Sequence, residues 1–313
     1  MAGQVTGTRV PRDLARENGF SRDVLKAYRE AVRRYGNELW VTGISISIKE
    51  VAGALDIGAG LAIAIHVRKK KKKAQVPPAR YIPSAIFGVP TDVIEGTFRP
   101  SSNGAATSAL PVFPLRPGSS YARHNGTAAT LAGVVRDNAG LRFLLSTAHT
   151  LREGGKFKKG DLMVHPGPAD STQPVGVARY EKVHLGMDAG IARLDPGIQA
   201  VNRALLTNQV ILAPEMPLLL DILEKSGRTT LVTQGQVRGF GTFSGFHPAM
   251  RLVLLPGDPG PISQEGDSGS TWYDATTFAA KGLHVAIDPN SNPPAAIATL
   301  IPEIARKMKL TWE

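Results

Sequence analysis

The sequence predicts a mainly β fold. Glycine and proline are abundant, at 33 and 23 of 313 residues, and few stretches carry a long helical period. From Gly126 onward, short apolar runs recur between Gly, Pro, Asn and Asp turns. The runs are Ala128–Val135, Arg142–Ser146, Leu162–Val164, Gly190–Leu194, Thr230–Val237, Leu252–Leu255, Gly269–Tyr273 and Gly282–Ile287. This spacing indicates an antiparallel sandwich or barrel. Ile301–Leu310, with cations near its end, reads as a closing helix.

The N-terminal region reads as a small α+β unit over residues 1–100. Ser21 to Tyr35 predicts a helix with Ser21 as N-cap, Gly36 as its stop, and Val24, Leu25, Tyr28, Ala31 and Val32 on one face. Trp40–Ile48 alternates in the manner of a strand. Leu61–Val67 is a second strand, joined to the first through Gly53–Gly60, and Pro90–Ile94 begins a third. Residues 101–120, rich in Pro, Ser, Gly and Ala, read as a linker. Residues 121–313 are left as the second domain.

The chain has no cysteine, which removes disulfides, thiol chemistry and thiolate metal sites. No signal peptide is visible at the N-terminus. The most apolar stretch, Val51–Val67, is shorter than the roughly 20 residues a spanning helix needs. A pair of buried strands is the better reading, and a cytoplasmic location is expected. The net charge is +11. Residues 1–110 carry 17 Lys+Arg against 9 Asp+Glu, while the remainder carries 20 against 17. Much of the excess lies in Arg68 and Lys69–Lys73. Such a run can bind nucleic acid or an anionic membrane. Without an interleaved aromatic residue it reads more simply as a solvated loop.

Gly266-Asp267-Ser268-Gly269-Ser270 frames a serine with glycines. A tight turn of this kind holds a hydroxyl beside its own backbone N–H groups, as a nucleophile needs its oxyanion hole. A serine hydroxyl also needs a base, and the base needs an acceptor to fix its tautomer. His149 ends the apolar run Leu144–Ala148, and Asp188 begins the run Ala189–Leu194. The chain order is His, Asp, Ser. His165, His184 and His247 lie in poorer settings for a base. Nothing in the sequence points to a metal or an organic cofactor.

These motifs resemble the chymotrypsin-like (trypsin-like) serine peptidases over residues 126–302. Ser146-Thr147-Ala148-His149 is similar to the family's histidine segment, Asp188–Ala192 more loosely to its aspartate segment, and residues 266–270 to Gly-Asp-Ser-Gly-Gly, with Ser270 for the last glycine. Gly227-Arg228-Thr229-Thr230, then Gln234–Val237, and Gly88–Val93 also resemble intracellular bacterial members and the plant Narrow Leaf type. The resemblance implies a chymotrypsin-like double β-barrel with the site between the barrels. It implies His149 as general base and acid, Asp188 as its orienting partner, Ser268 as nucleophile, and the N–H groups of Gly266 and Ser268 as oxyanion hole. It also implies that Leu283, His284 and Val285 pair with substrate backbone. Ile262, six residues before the nucleophile, replaces the acidic pocket base of trypsins and points to a small or apolar residue before the scissile bond. No Ile-Val-Gly-Gly activation segment precedes the barrels, so Asp267 lacks the new ammonium partner that activated zymogens use.

A serine endopeptidase acting on proteins or peptides is therefore expected. The alternative is a protease-fold scaffold that binds peptides with little turnover. The N-terminal unit is expected to serve as a tether, a chaperone or a lid, and its sequence does not choose among them.

Overall fold

The computed structural model describes residues 9–51, 54–99, 111–152, 158–258, 260–288 and 291–313. Residues 101–110 of the expected linker and Gly53 of the expected connection lie outside these. Two helices come first, α1 (Arg12–Glu17) and α2 (Arg22–Tyr35). Ser21 caps α2, its Oγ accepting from the Val24 N–H at 3.2 Å. Next come β1 (Val41–Ile48), the hairpin of β2 (Glu50–Val51) and β3 (Ala54–Leu55), β4 (Leu61–Val67), β5 (Ala85–Ile86) and β6 (Val89–Glu95).

A first curled sheet follows. It contains β7 (Ser120–Arg123), β8 (Ala129–Thr130), β9 (Gly133–Asp137), β10 (Arg142–Thr147), β11 (Leu162–His165), β12 (Val175–His184) and β13 (Ala189–Leu194), with the single turn α3 (Ala148–Leu151) after β10. The second set is β14 (Ile222–Gly227), β15 (Leu231–Phe243), β16 (Phe246–Leu254), β17 (Thr271–Asp274), β18 (Ala280–Asp288) and β19 (Ala295–Leu300). Helix α4 (Ile301–Met308) and strand β20 (Leu310–Trp312) close the chain.

The second set closes on itself in the order β14-β17-β18-β19-β16-β15, with β15 pairing back to β14. This is a six-stranded barrel. The first sheet runs β20-β9-β10-β13-β12-β11-β7-β8 and curls without closing. The architecture is mainly β, a closed six-stranded barrel beside a curled half-barrel. Among the described residues no helix is long and apolar enough to cross a membrane.

The N-terminal strands extend the second barrel. β1 pairs antiparallel with β15, β4 pairs with β1, and β6 runs parallel to β4. The apolar face of α2 covers them, and one core joins Tyr28, Ile44 and Ile63 to Phe240, Leu252 and Trp272. The Ala128–Val135 run is interrupted between Thr130 and Gly133. There the Ala132 N–H reaches across to the Leu145 carbonyl at 2.9 Å, and Leu131 donates to Ser119 at 2.8 Å.

Candidate active site

His149 sits in α3, immediately after β10. Asp188 ends the short 3-10 turn between β12 and β13. Pairing of β10 with β13 sets Thr147 opposite Ala189, so the two residues meet at one end of the first sheet. The Ala148 N–H donates to the Asp188 carbonyl at 2.9 Å. Asp188 is left-handed, with φ of 48°, a conformation that Asp tolerates better than most residues. Its carboxylate turns back on His149. Oδ1 accepts from the His149 backbone N–H at 2.9 Å, and Oδ2 accepts from Nδ1–H at 2.5 Å. A neutral imidazole held this way carries its lone pair on Nε2. Nε2 is buried and makes no hydrogen bond among the described residues.

Ser268 belongs to the other barrel, in the turn before β17. The Thr130 N–H donates to the Ser268 carbonyl at 2.8 Å. The Ser146 Oγ, three residues before His149, donates to the Thr130 carbonyl at 2.9 Å. The serine turn is thereby seated on the wall that carries His149. His149 Nε2 accepts no hydrogen bond from Ser268 Oγ.

Glycine is required on both sides of Ser268. Gly266 has φ of +100°, and a Cβ there would lie 2.2 Å from Arg228 Nη1. Gly269 has φ of +95°, and a Cβ there would lie 2.0 Å from the Thr130 carbonyl oxygen. The turn uses several of its own amides. Asp267 donates to Gln264 O, Ser270 to Asp267 O and Gly269 to His284 O, at 3.2, 2.9 and 2.9 Å. Ser270 closes the turn by donating its Oγ to Asp267 O at 2.7 Å.

Asp267 is fully buried and surrounded by donors. Oδ1 accepts from the N–H groups of Thr229 and Thr230 at 2.9 and 3.1 Å. Oδ2 accepts from Thr230 Oγ1 at 2.5 Å, Lys225 Nζ, Ser263 Oγ and the Gln264 N–H. Lys225 Nζ lies 3.0 Å away, and neither side chain is exposed. Burial alone would raise the carboxyl's pKa. The Lys225 charge and these hydrogen bonds overcome it and hold the group below the ordinary carboxylate range. Burial lowers the Lys225 ammonium, against the pull of Asp267.

Lys225 is the cation that faces Asp267. Sequence reasoning passed over it, because Glu224-Lys225 looks like ordinary surface charge. Arg228 is also structural. It is buried, its guanidinium forks onto Asp170, and its N–H donates to Thr130 Oγ1 at 3.2 Å.

The remaining expected site residues are buried. Ile262 packs in the second barrel's core, where a Cβ on Gly235 would come within 2.8 Å of its Cδ1. The Leu283 and Val285 side chains belong to the core between the barrels. His284 is enclosed, with its Nε2–H donating to Ser263 Oγ at 2.8 Å and its Nδ1 accepting from Trp272 Nε1–H at 3.4 Å. Burial, with Lys225 nearby, pushes its pKa down to about 3, so the ring is neutral.

The basic run lies elsewhere. Lys69–Lys71, with Arg68 and Arg80, line a cavity of about 500 Å³ that also includes Trp40 and Tyr81. Tertiary structure thus brings aromatic rings to a run whose sequence has none.

No family model and no curated protein matches the chain. Solved structures do. A glutamic-acid-specific serine protease that uses a histidine triad in substrate binding is 18% identical, with a TM-score of 0.49, covering 64% of this chain and 100% of its own. The chymotrypsin of Cellulomonas bogoriensis is 13% identical, with a TM-score of 0.48, covering 64% and 98%. The Nocardiopsis protease is 13% identical, with a TM-score of 0.47, over the same shares. These structural neighbours are chymotrypsin-like serine proteases.

Proposed function

We propose that the chain is a serine endopeptidase of the intracellular bacterial and Narrow Leaf type, with protein or peptide substrates. The observation that carries this reading is the His149–Asp188 pair, which leaves Nε2 as an acceptor at the junction with the glycine-framed Ser268 turn. In the reaction, His149 Nε2 takes the Ser268 Oγ proton as the oxygen attacks the substrate carbonyl. His149 then gives that proton to the leaving amine. Water repeats the sequence on the acyl-enzyme and returns the serine. Asp188 keeps its charge and stabilises the imidazolium. The oxyanion is received by the N–H groups of Gly266 and Ser268. In support, the Gly266 N–H has no acceptor among the described residues. The Narrow Leaf likeness gains support from Gly227–Thr230, which wraps the serine turn.

Incubation with a small fluorophosphonate tests the reading. Wild type is expected to be labelled, and Ser268→Ala is not. Absence of labelling in folded wild type favours the alternative, a peptide-binding scaffold.

A second reading concerns the basic cavity. Its cations and two aromatic rings favour a single-stranded nucleic acid partner, whose bases stack on such rings. Binding at low salt that disappears when Lys69–Lys71 are replaced by Glu is the expected result. Binding that survives the replacement excludes it.

A further inference from the structure

Strand β18 has two edges. One is covered by β19 from Gly282 to Asp288. On the other, β17 pairs as far as Leu283, and His284 then exchanges bonds with the serine turn. Gly269 N–H donates to His284 O, and His284 N–H to Ser270 O, each at 2.9 Å. Beyond His284 the edge leads away from Ser268. An extended peptide laid on it would find backbone donors and acceptors whatever its side chains, as in strand addition.

The far part of that edge is already in use. The Arg99 N–H donates to Ile287 O, and the Ile287 N–H donates to Arg99 O, both at 3.0 Å, in an antiparallel bridge. The polarity is informative. β18 runs away from the serine turn between His284 and Ile287. An antiparallel partner therefore runs back toward Ser268 in its N-to-C direction. The acyl half of a peptide substrate needs that same direction, because its residues precede the scissile carbonyl. His284 and Ile287 are three positions apart, so Arg99 lies about 10 Å along the edge from the turn. That is where a substrate residue a few positions before the scissile bond would sit.

The segment leading to Arg99 is anchored. Gly96 N–H donates to Val67 O at 2.9 Å, and its carbonyl accepts from Thr42 Oγ1 at 2.7 Å. Thr97 N–H donates to Asp288 Oδ2 at 3.1 Å. Phe98 is buried edge-on against His66 and Phe243, with centroids 5.6 and 5.2 Å apart. By contrast, among the described residues Arg99 itself is held to the edge by the Ile287 bridge.

We propose that Gly96–Arg99 is a built-in occupant of the acyl-side substrate edge of β18, and that an extended polypeptide binds there only by displacing Arg99 from Ile287. This rests on the serine peptidase reading. It makes the N-terminal strands a brake on the site they adjoin, acting on long substrates and leaving small acylating agents free to enter.

The full chain is tested with two pools of p-nitroanilides, acyl-Xaa and acyl-Ala-Ala-Ala-Xaa, with Xaa randomised. Small-fluorophosphonate labelling rates serve as the measure of intact sites. In wild type the longer pool is expected to gain less than about twofold in kcat/KM over the short one. In Arg99→Pro, which lacks the bridging N–H, the gain is expected to rise to about tenfold. Hydrogen exchange supplies a measurement that does not depend on the variant. The Arg99 amide of wild type should lose protection when Ser268 is capped by a tetrapeptidyl phosphonate and keep it under the small probe. A large length dependence already present in wild type, or an Arg99 amide equally protected under both probes, overturns the proposal. If the small probe fails to label wild type, the peptidase reading falls and this inference falls with it. Labelling with an unchanged length dependence in Arg99→Pro removes the brake alone.

Discussion

Asp188 holds His149 by two bonds with different consequences. The Nδ1–H bond selects the tautomer, and the backbone bond fixes the carboxylate against the ring. Asn accepts the same left-handed backbone as Asp. Asp188→Asn therefore tests the carboxylate and leaves the fold alone. It is expected to lower kcat by about 10⁴-fold, the loss that follows when the tautomer is no longer enforced. Progress curves of wild type and variant measure this, and a variant within tenfold of wild type removes Asp188 from the role. The three residues of the proposed triad were legible in the sequence because each lies in a short motif. Ile262 was read by its spacing from Ser268, and its enclosure in the core was not readable from spacing. His284 was expected on the strand that pairs with substrate backbone. Its partners Ser263 and Trp272 are set by the fold, which makes the ring neutral and enclosed.

The β14–β15 turn is the element that holds the Ser268 turn. Gly227 lets it close, since a Cβ there would lie 2.4 Å from Asp267 Oδ1. Lys225, within β14, meets Asp267 in a site without water exposure. Breaking a buried pair costs more than the pair contributes, because one charge stays behind unpaired. Lys225→Met is therefore expected to destabilise the protein by about 3–5 kcal/mol, read as a lower urea midpoint. A midpoint within error of wild type contradicts it. The pH dependence has a definite sign. Asp267 titrates below its unfolded value of about 3.9, so its contribution is complete above that pH and fades as pH falls toward the folded value. Lys225→Met raises the folded value. The variant should be weaker at neutral pH and flatter in its acid dependence below about pH 4. Parallel acid limbs in the two proteins would contradict this. A short apolar strand such as Leu61–Val67 could be read in full, whereas β12 could not. Its residues run exposed, buried and half-buried without strict alternation, and it bulges against both neighbours.

At the scale of the whole molecule, the N-terminal strands and the second barrel form one sheet over one core. They are expected to unfold together. Ile44→Ala, at a fully buried position, should cost about 2–5 kcal/mol and lower the protection of β1 and β16 amides equally in hydrogen exchange. Loss confined to β1 would mean that the N-terminal strands open by themselves. The sequence by itself determined the β class, the N-terminal helix with its Ser21 cap, and the motifs that hold the candidate residues His149, Asp188 and Ser268. These are local properties, since strand alternation, caps and glycine turns are written within a few neighbouring residues. Tertiary structure alone decided that Lys225 answers Asp267, that Trp40 and Tyr81 join the basic run, that β1 continues the barrel, and that Arg99 bridges Ile287. Each of these joins residues far apart in the chain. Such pairings follow from loop closure and the packing of whole faces, and no short window of sequence carries that information.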